Sequence, residues 1–232
     1  MSKSLFITGT GTEVGKTYVT GLILKKLREG GAHPAYYKAA MSGNRRRPDG
    51  TLIPGDALQV QQMAGLSQPL EAMCPYVYEH AYSPHLAARL EGNPVELDTV
   101  IAGFQALSPA HDFITVEGSG GILCPIRMDG TRLWLEDIIR ALGLSAVLVA
   151  DAGLGTINSV ALTAEYMRAH NLPLKGVIFN HCHPGHEMEE DNIAMCERIT
   201  GLPTLAKIQT GDTELPMDLD ALTALYDEVK KP

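Results

Sequence analysis

At 232 residues, with 45% hydrophobic and 20% charged side chains, the chain is long enough to bury a sizeable sheet and is sized for one α/β domain over 1–232. A formal charge of -8 lacks the basic footprint by which proteins hold nucleic acid or anionic membranes, so neither is expected as a partner and the ligands should be small. No run reaches transmembrane length, and Leu5-Phe6-Ile7 is too short for a secretory h-region. The four cysteines form no C-x-x-C pair and are expected to be reduced thiols, so the expected location is cytoplasmic.

Lys3 to Thr8 is expected as a short apolar strand, followed by Gly9-Thr10-Gly11-Thr12-Glu13-Val14-Gly15-Lys16-Thr17. Glycines that let backbone N–H groups curl around phosphate, a helix N-terminus, a lysine and a hydroxyl-bearing threonine make this a phosphate-binding loop. Its first glycine stands one position further back than the usual spacing, while Gly15-Lys16-Thr17 is intact. Val19, Leu22, Ile23 and Leu27 then recur at helical spacing until Gly30-Gly31. Pro34 to Lys38 is the next strand, with Lys38 at the end where ligands meet an open parallel sheet.

Residues 41–55 lose periodicity, and Arg45-Arg46-Arg47 in this stretch is expected to be a solvated loop. Asp56 opens a helix to about Ala64, where an N-cap or first-turn role is the ordinary explanation. An irregular stretch follows, in which Tyr76, Tyr78 and Tyr82 suit core or subunit contacts; Pro84 then starts a helix to about Leu90, and another covers Leu97 to Leu107. Phe113 to Val116 is a buried strand ending at Glu117, with Gly118-Ser119-Gly120-Gly121 next. An acid at a strand tip before glycines is a layout that holds a nucleotide's Mg²⁺.

A helix within Gly130–Gly143 comes next, then the clearest central strand, Ser145 to Ala150, apolar without alternation. A helix from about Asn158 to His170, a strand from Lys175 to Phe179 ending in Asn180, a helix from Glu187 to Ile199, a strand near Thr204 to Ile208 and a last helix to Lys230 complete the chain. His181-Cys182-His183-Pro184-Gly185-His186 lacks the separated ligand pairs of a zinc site and is expected as a polar loop. The alternation of strand and helix predicts a doubly wound, mostly parallel sheet with helices on both faces.

With these residues in hand, the sequence closely resembles the dethiobiotin synthetases, ligases of the phosphate-loop NTPase superfamily. The matching pieces are Thr8 to Thr17, Tyr37-Lys38 with Ser42-Gly43, Asp56-Ala57-Leu58, Ser83-Pro84-His85, Val116 to Gly121, and Asn180. The resemblance implies ATP-dependent ring closure of 7,8-diaminononanoate with CO₂ in a homodimer of biotin biosynthesis. It implies ATP contacts from Glu13, Val14, Gly15, Lys16, Thr17, Tyr18, Asp56, Glu117, Gly118, Ser119, Gly120 and Asn180, the last reading adenine. Thr12, Lys38 and Ser42 would meet the acceptor, Lys16 and Lys38 would be catalytic, and Thr17, Asp56 and Glu117 would hold Mg²⁺. Two departures are Lys38-Ala39, where family members often have Lys-Pro, and Asn180-His181, where Asn-Asp is commoner. The alternatives are a nucleotide-switch ATPase of the partition and iron-protein type, whose extra loop lysine is replaced here by Gly11, and a non-catalytic nucleotide-binding module, against which Lys16, Thr17, Asp56 and Glu117 all stand.

Overall fold

The computed structural model describes residues 2–228. Its strands are β1 (Lys3–Gly9), β2 (Pro34–Tyr37), β3 (Ala40–Met41), β4 (Arg45–Arg46), β5 (Leu52–Ile53), β6 (Tyr76–Val77), β7 (Phe113–Glu117), β8 (Pro125–Met128), β9 (Arg132–Trp134), β10 (Ala146–Asp151), β11 (Leu174–Cys182), β12 (Thr204–Gln209) and β13 (Asp227–Glu228). The helices are α1 (Lys16–Glu29), α2 (Gly55–Ala64), α3 (Pro84–Glu91), α4 (Leu97–Leu107), α5 (Leu135–Leu142), α6 (Thr156–Ala169), α7 (Glu187–Thr200) and α8 (Leu219–Thr223).

The central sheet runs β12-β11-β10-β1-β7-β2, with parallel pairing along this path, as the doubly wound pattern predicts. Alternate residues of β1 explain its uninterrupted apolar run. Phe6 enters the core on one face, with Ile138 and Ile139 of α5; Leu5 and Ile7 enter the core on the other, with Leu22 and Ile23 of α1. Both faces are dry, so neither calls for a polar residue.

From β1 the chain winds outward to β2 and back to β7, then crosses to β10 and continues through β11 and β12. The direction of winding therefore reverses around β1, and the crevice at the strands' C-terminal ends opens there. Register sets what meets in it. Ile7 pairs with Glu117, so the acid at the tip of β7 lies beside the start of the phosphate loop; Asp151 pairs with Asn180 on the other side.

Several expectations need correcting. The final helix stops at Thr223, and Asp227–Glu228 instead pairs antiparallel with Ser4 and Lys3. β10 begins to pair with β1 only at Phe6, which leaves the start of β1 with an open edge that β13 fills. Val229 and Lys230 of the expected helix lie outside the described residues. Residues 125–134 form an antiparallel ribbon, so that α5 begins only at Leu135, and the supposed loop around the arginines carries the β4–β5 ribbon. The arginines themselves are exposed, and Arg46 pairs with Glu79 at 2.6 Å. Among the described residues, no helix is long and apolar enough to cross a membrane.

Candidate active site

The phosphate loop is built by its glycines and closed by α1. Gly15 precedes the helix at φ 83°, a left-handed conformation that glycine adopts without strain, and a Cβ there would collide with the side-chain amide of Asn180. A Cβ on Gly9 would come within 2.9 Å of Val14 Cγ2 and 3.0 Å of Lys16 Cδ, so the off-pattern first glycine lets the loop fold onto its own lysine. That lysine is buried, and its Nζ donates to the Gly11 carbonyl at 2.6 Å. Burial, reinforced by the charge of Lys38, lowers the Lys16 pKa to about 8.

Lys38, one residue beyond β2, reaches across to both acids. Its Nζ donates to Asp56 Oδ2 at 2.7 Å and to Glu117 Oε1 at 2.6 Å. Burial by itself would lower its pKa, but the charges of Glu117 and then Asp56, with their hydrogen bonds, more than offset this and raise it, so Lys38 stays an ammonium. Thr17 Oγ1 donates to Glu117 Oε1 at 2.9 Å and the Tyr36 hydroxyl to Glu117 Oε2 at 3.1 Å. Burial, helped by the Glu117 charge, holds that phenol protonated. Asp56 is an acid of the first turn of α2, as one of its two local explanations has it, but not the N-cap, which is Pro54; its carboxylate points to Lys38.

Apart from the fully buried Tyr36, these groups share one cavity of about 660 Å³. Of the residues expected at the site, Thr12, Glu13, Gly15, Lys16, Thr17, Tyr18, Lys38, Ser42, Asp56, Glu117, Ser119 and Gly120 line it. Val14, Gly118 and Asn180 do not. The Gly118 N–H donates to the Ile7 carbonyl, and a Cβ on this glycine would press on Leu135 and Phe6, so its smallness serves packing. The Asn180 amide lies behind the loop, donating to the Val14 carbonyl at 3.1 Å.

Gln59, Tyr82 and Cys124 also line the cavity, and sequence reasoning had not placed them there. Tyr76 and Tyr78 are core residues, whereas Tyr82 is about half exposed at the mouth. Tyr36 was missed because a strand buried on both faces shows no alternation to say which side chain faces the acid. In the histidine-rich segment, His181 Nδ1 faces Asp151 Oδ2 at 2.7 Å and His183 Nδ1 faces Glu189 Oε1 at 2.9 Å. No group of three metal-ligating His, Cys, Asp or Glu side chains is present among the described residues.

The donor chemistry around Lys38 is hard oxygen: the buried Glu117 carboxylate, the partly exposed Asp56 carboxylate and a threonine hydroxyl, gathered at a cationic position that the Lys38 ammonium now touches. Such a set fits Mg²⁺ and suits no softer metal.

A glycine loop closed by a helix, a buried lysine in the loop and acids at neighbouring strand ends define a phosphate-loop nucleotide-binding protein. The likeness to solved structures gives the same fold: the MinC:MinD cell division complex of Aquifex aeolicus superposes with a TM-score of 0.56 at 16% identity over 96% of this chain and 86% of that one. The cell division protein FtsY of Thermotoga maritima gives 0.53 at 15% identity, over 97% and 68%. A family model described as an AAA domain matches residues 3–213.

Sequence relatives narrow this further. The chain is 46% identical to the ATP-dependent dethiobiotin synthetase BioD of Brachyspira hyodysenteriae over 93% of its own length and 96% of the relative's. It is 39% identical to that of Clostridium botulinum strain Loch Maree over 99% and 100%. The chain belongs to the ATP-dependent dethiobiotin synthetase family, a family of ligases.

Proposed function

We propose that this protein joins CO₂ to 7,8-diaminononanoate and closes the ureido ring of dethiobiotin at the expense of ATP, as a homodimer. The observation that carries this reading is the meeting, in one cavity, of two lysines, two acids and the phosphate loop with Thr12 and Ser42. That arrangement neutralises charge, and Cys124, the cavity's thiol, is no activated nucleophile, being pushed up to about 11 by burial.

The chemistry that suits it needs no protein nucleophile. One amine of the substrate takes up CO₂ as a carbamate, and a carbamate oxygen attacks the γ-phosphorus of ATP, expelling ADP and forming a carbamic-phosphoric anhydride. The second amine attacks the anhydride carbon, and phosphate leaves with the oxygen it gained. Negative charge gathers between carbamate and γ-phosphate, where Lys38 is assigned; Lys16 is assigned to the β/γ-phosphates, and Thr12 and Ser42 to the amine or carbamate. The loop from Glu13 to Thr17 and Tyr18, with Ser119 and Gly120, is assigned to the phosphates, and Asn180, which stands behind the loop, is assigned to adenine. Thr17, Asp56 and Glu117 would hold a Mg²⁺, which supplies charge neutralisation to the phosphates.

Release of ADP from ATP, Mg²⁺ and bicarbonate, measured with and without the diamine, tests the reading. Strict dependence on 7,8-diaminononanoate supports it; hydrolysis indifferent to the diamine rejects it in favour of a nucleotide switch.

A further inference from the structure

The geometry points to Asp151 and His181 as positioning residues that fix the side-chain amide of Asn180 and thereby set the base selectivity of the nucleotide site. This rests on the reading that Asn180 faces the adenine.

The chain of contacts admits one assignment of protons. The Val14 carbonyl can only accept, so the Asn180 atom 3.1 Å from it must be the amide nitrogen. That nitrogen also lies 3.2 Å from His181 Nε2, which must then offer a lone pair. The imidazole proton therefore sits on Nδ1, and Nδ1 lies 2.7 Å from Asp151 Oδ2, an acceptor. Three contacts agree on a neutral histidine with its proton toward Asp151 and an amide with both N–H groups engaged. What remains is Asn180 Oδ1, buried and without a hydrogen-bond partner among the described residues. A buried acceptor left unpaired is costly, so a base that comes up to Asn180, outside the cavity wall described above, is favoured if it donates to this oxygen.

The backbone builds this relay. Asp151 and Asn180 are register partners on β10 and β11, and His181 adopts φ 57°, which for a residue with a side chain is an uncommon left-handed conformation. Asp151 is anchored in turn, because its Oδ1 accepts the Gly153 N–H at 2.7 Å. The side chains of His181 and Asp151 are 41% and 47% exposed, so the pair contributes direction to Asn180 with little burial of its own.

An acceptor held in place selects bases that carry an exocyclic amine at the reading edge and rejects those with a carbonyl there. Adenine has the 6-amino group; hypoxanthine differs by a 6-oxo group. The isosteric variant Asp151→Asn makes the sharpest test. The new amide keeps its oxygen on the Gly153 N–H and must turn its NH₂ toward His181 Nδ1. The histidine proton is then driven to Nε2, where it opposes the N–H of Asn180, the same inversion that an orienting Asp→Asn change imposes on a catalytic histidine.

Titration calorimetry with ADP and IDP on the intact protein reads the effect. The preference for ADP should fall about tenfold in Asp151→Asn and in His181→Phe, roughly the worth of the hydrogen bond at stake. His181→Gln, which can place an acceptor near the Nε2 position, should restore most of it. In turnover the same variants should lose in KM for ATP rather than in kcat, and the imidazole ¹⁵N shifts of His181 should report the Nδ1–H tautomer in the wild type and the Nε2–H tautomer in Asp151→Asn. Unchanged selectivity in Asp151→Asn and His181→Phe, with selectivity lost in Asn180→Ala, would overturn the relay and leave the base reading intact. Selectivity retained in Asn180→Ala as well would overturn the base reading itself.

Discussion

Two places in the molecule use the same chemistry, an acid holding a nitrogen base beside the phosphate loop, under opposite conditions of solvent. Around Lys38 the side chains of lysine and Glu117 are 6% and 0% exposed; in the Asp151–His181 pair the corresponding values are 41% and 47%. Water can readily replace a lost partner in the second pair, whereas at the first, Glu117 is fully buried and water reaches the node only from the cavity side, where Asp56 is 38% exposed. The closed node therefore couples fold and chemistry, so that a change there is felt in both. The open pair can hold a direction without carrying the fold, and selectivity can be set there at small cost to stability.

The largest expected effect is at the closed node. Lys38→Ala leaves Glu117 buried without its ammonium, and removing one member of a buried ion pair costs about 3–5 kcal/mol, to be read by urea unfolding. Turnover should fall at least ten- to a hundredfold, with a much smaller change in ATP binding, because the proposed contact strengthens as charge builds in the transition state. Equal losses in turnover and ATP affinity would remove Lys38 from that role, and wild-type stability would show that the node is not closed.

Next in size is a pH effect from Lys16. Its pKa of about 8 in the fold stands below the ordinary 10.5, so the folded protein binds fewer protons than the unfolded chain between these values. The contribution of this group makes stability rise with pH across that window. Nucleotide affinity moves the other way. Below pH 8 the ammonium is already present; above it, bound phosphate must recruit the proton. Affinity should fall by up to about tenfold per pH unit above 8, and calorimetry in buffers of different ionisation enthalpy should record proton uptake that Lys16→Met abolishes. Binding without proton uptake at pH 9 would mean that Lys16 remains charged there.

The smallest effect belongs to the open pair: Asp151→Asn should change stability by no more than about 1 kcal/mol, the usual worth of one hydrogen bond between partly exposed side chains. A loss as large as that of Lys38→Ala would erase the distinction between the two regions.

The same distinction governs what could be seen before the fold was known. Phosphate chemistry demands particular residues at adjacent chain positions, so Gly15-Lys16-Thr17 announces itself, and Lys38 and Glu117 stand out at strand ends. Asp56 carried an equally good local explanation as a helix cap, and only the placement of Pro54 at the N-cap and of Lys38 2.7 Å away decides the matter. Asp151 and His181 are thirty positions apart and become neighbours through the register of β10 and β11, which no local pattern encodes. The C-terminal segment has a helical pattern that tertiary context overrides, since the open edge of β1 offers backbone partners to Asp227 and Glu228.

The most direct test of the central claim, that this site serves attack by a carbamate oxygen on phosphorus, is oxygen transfer. CO₂ labelled with ¹⁸O is supplied with the diamine and Mg·ATP, and the reaction is quenched before the label exchanges with water. One ¹⁸O should appear in the released phosphate and one in the ring carbonyl of dethiobiotin. Ring closure with unlabelled phosphate would contradict the carbamic-phosphoric anhydride and require ATP cleavage by water, with the two lysines serving a different reaction.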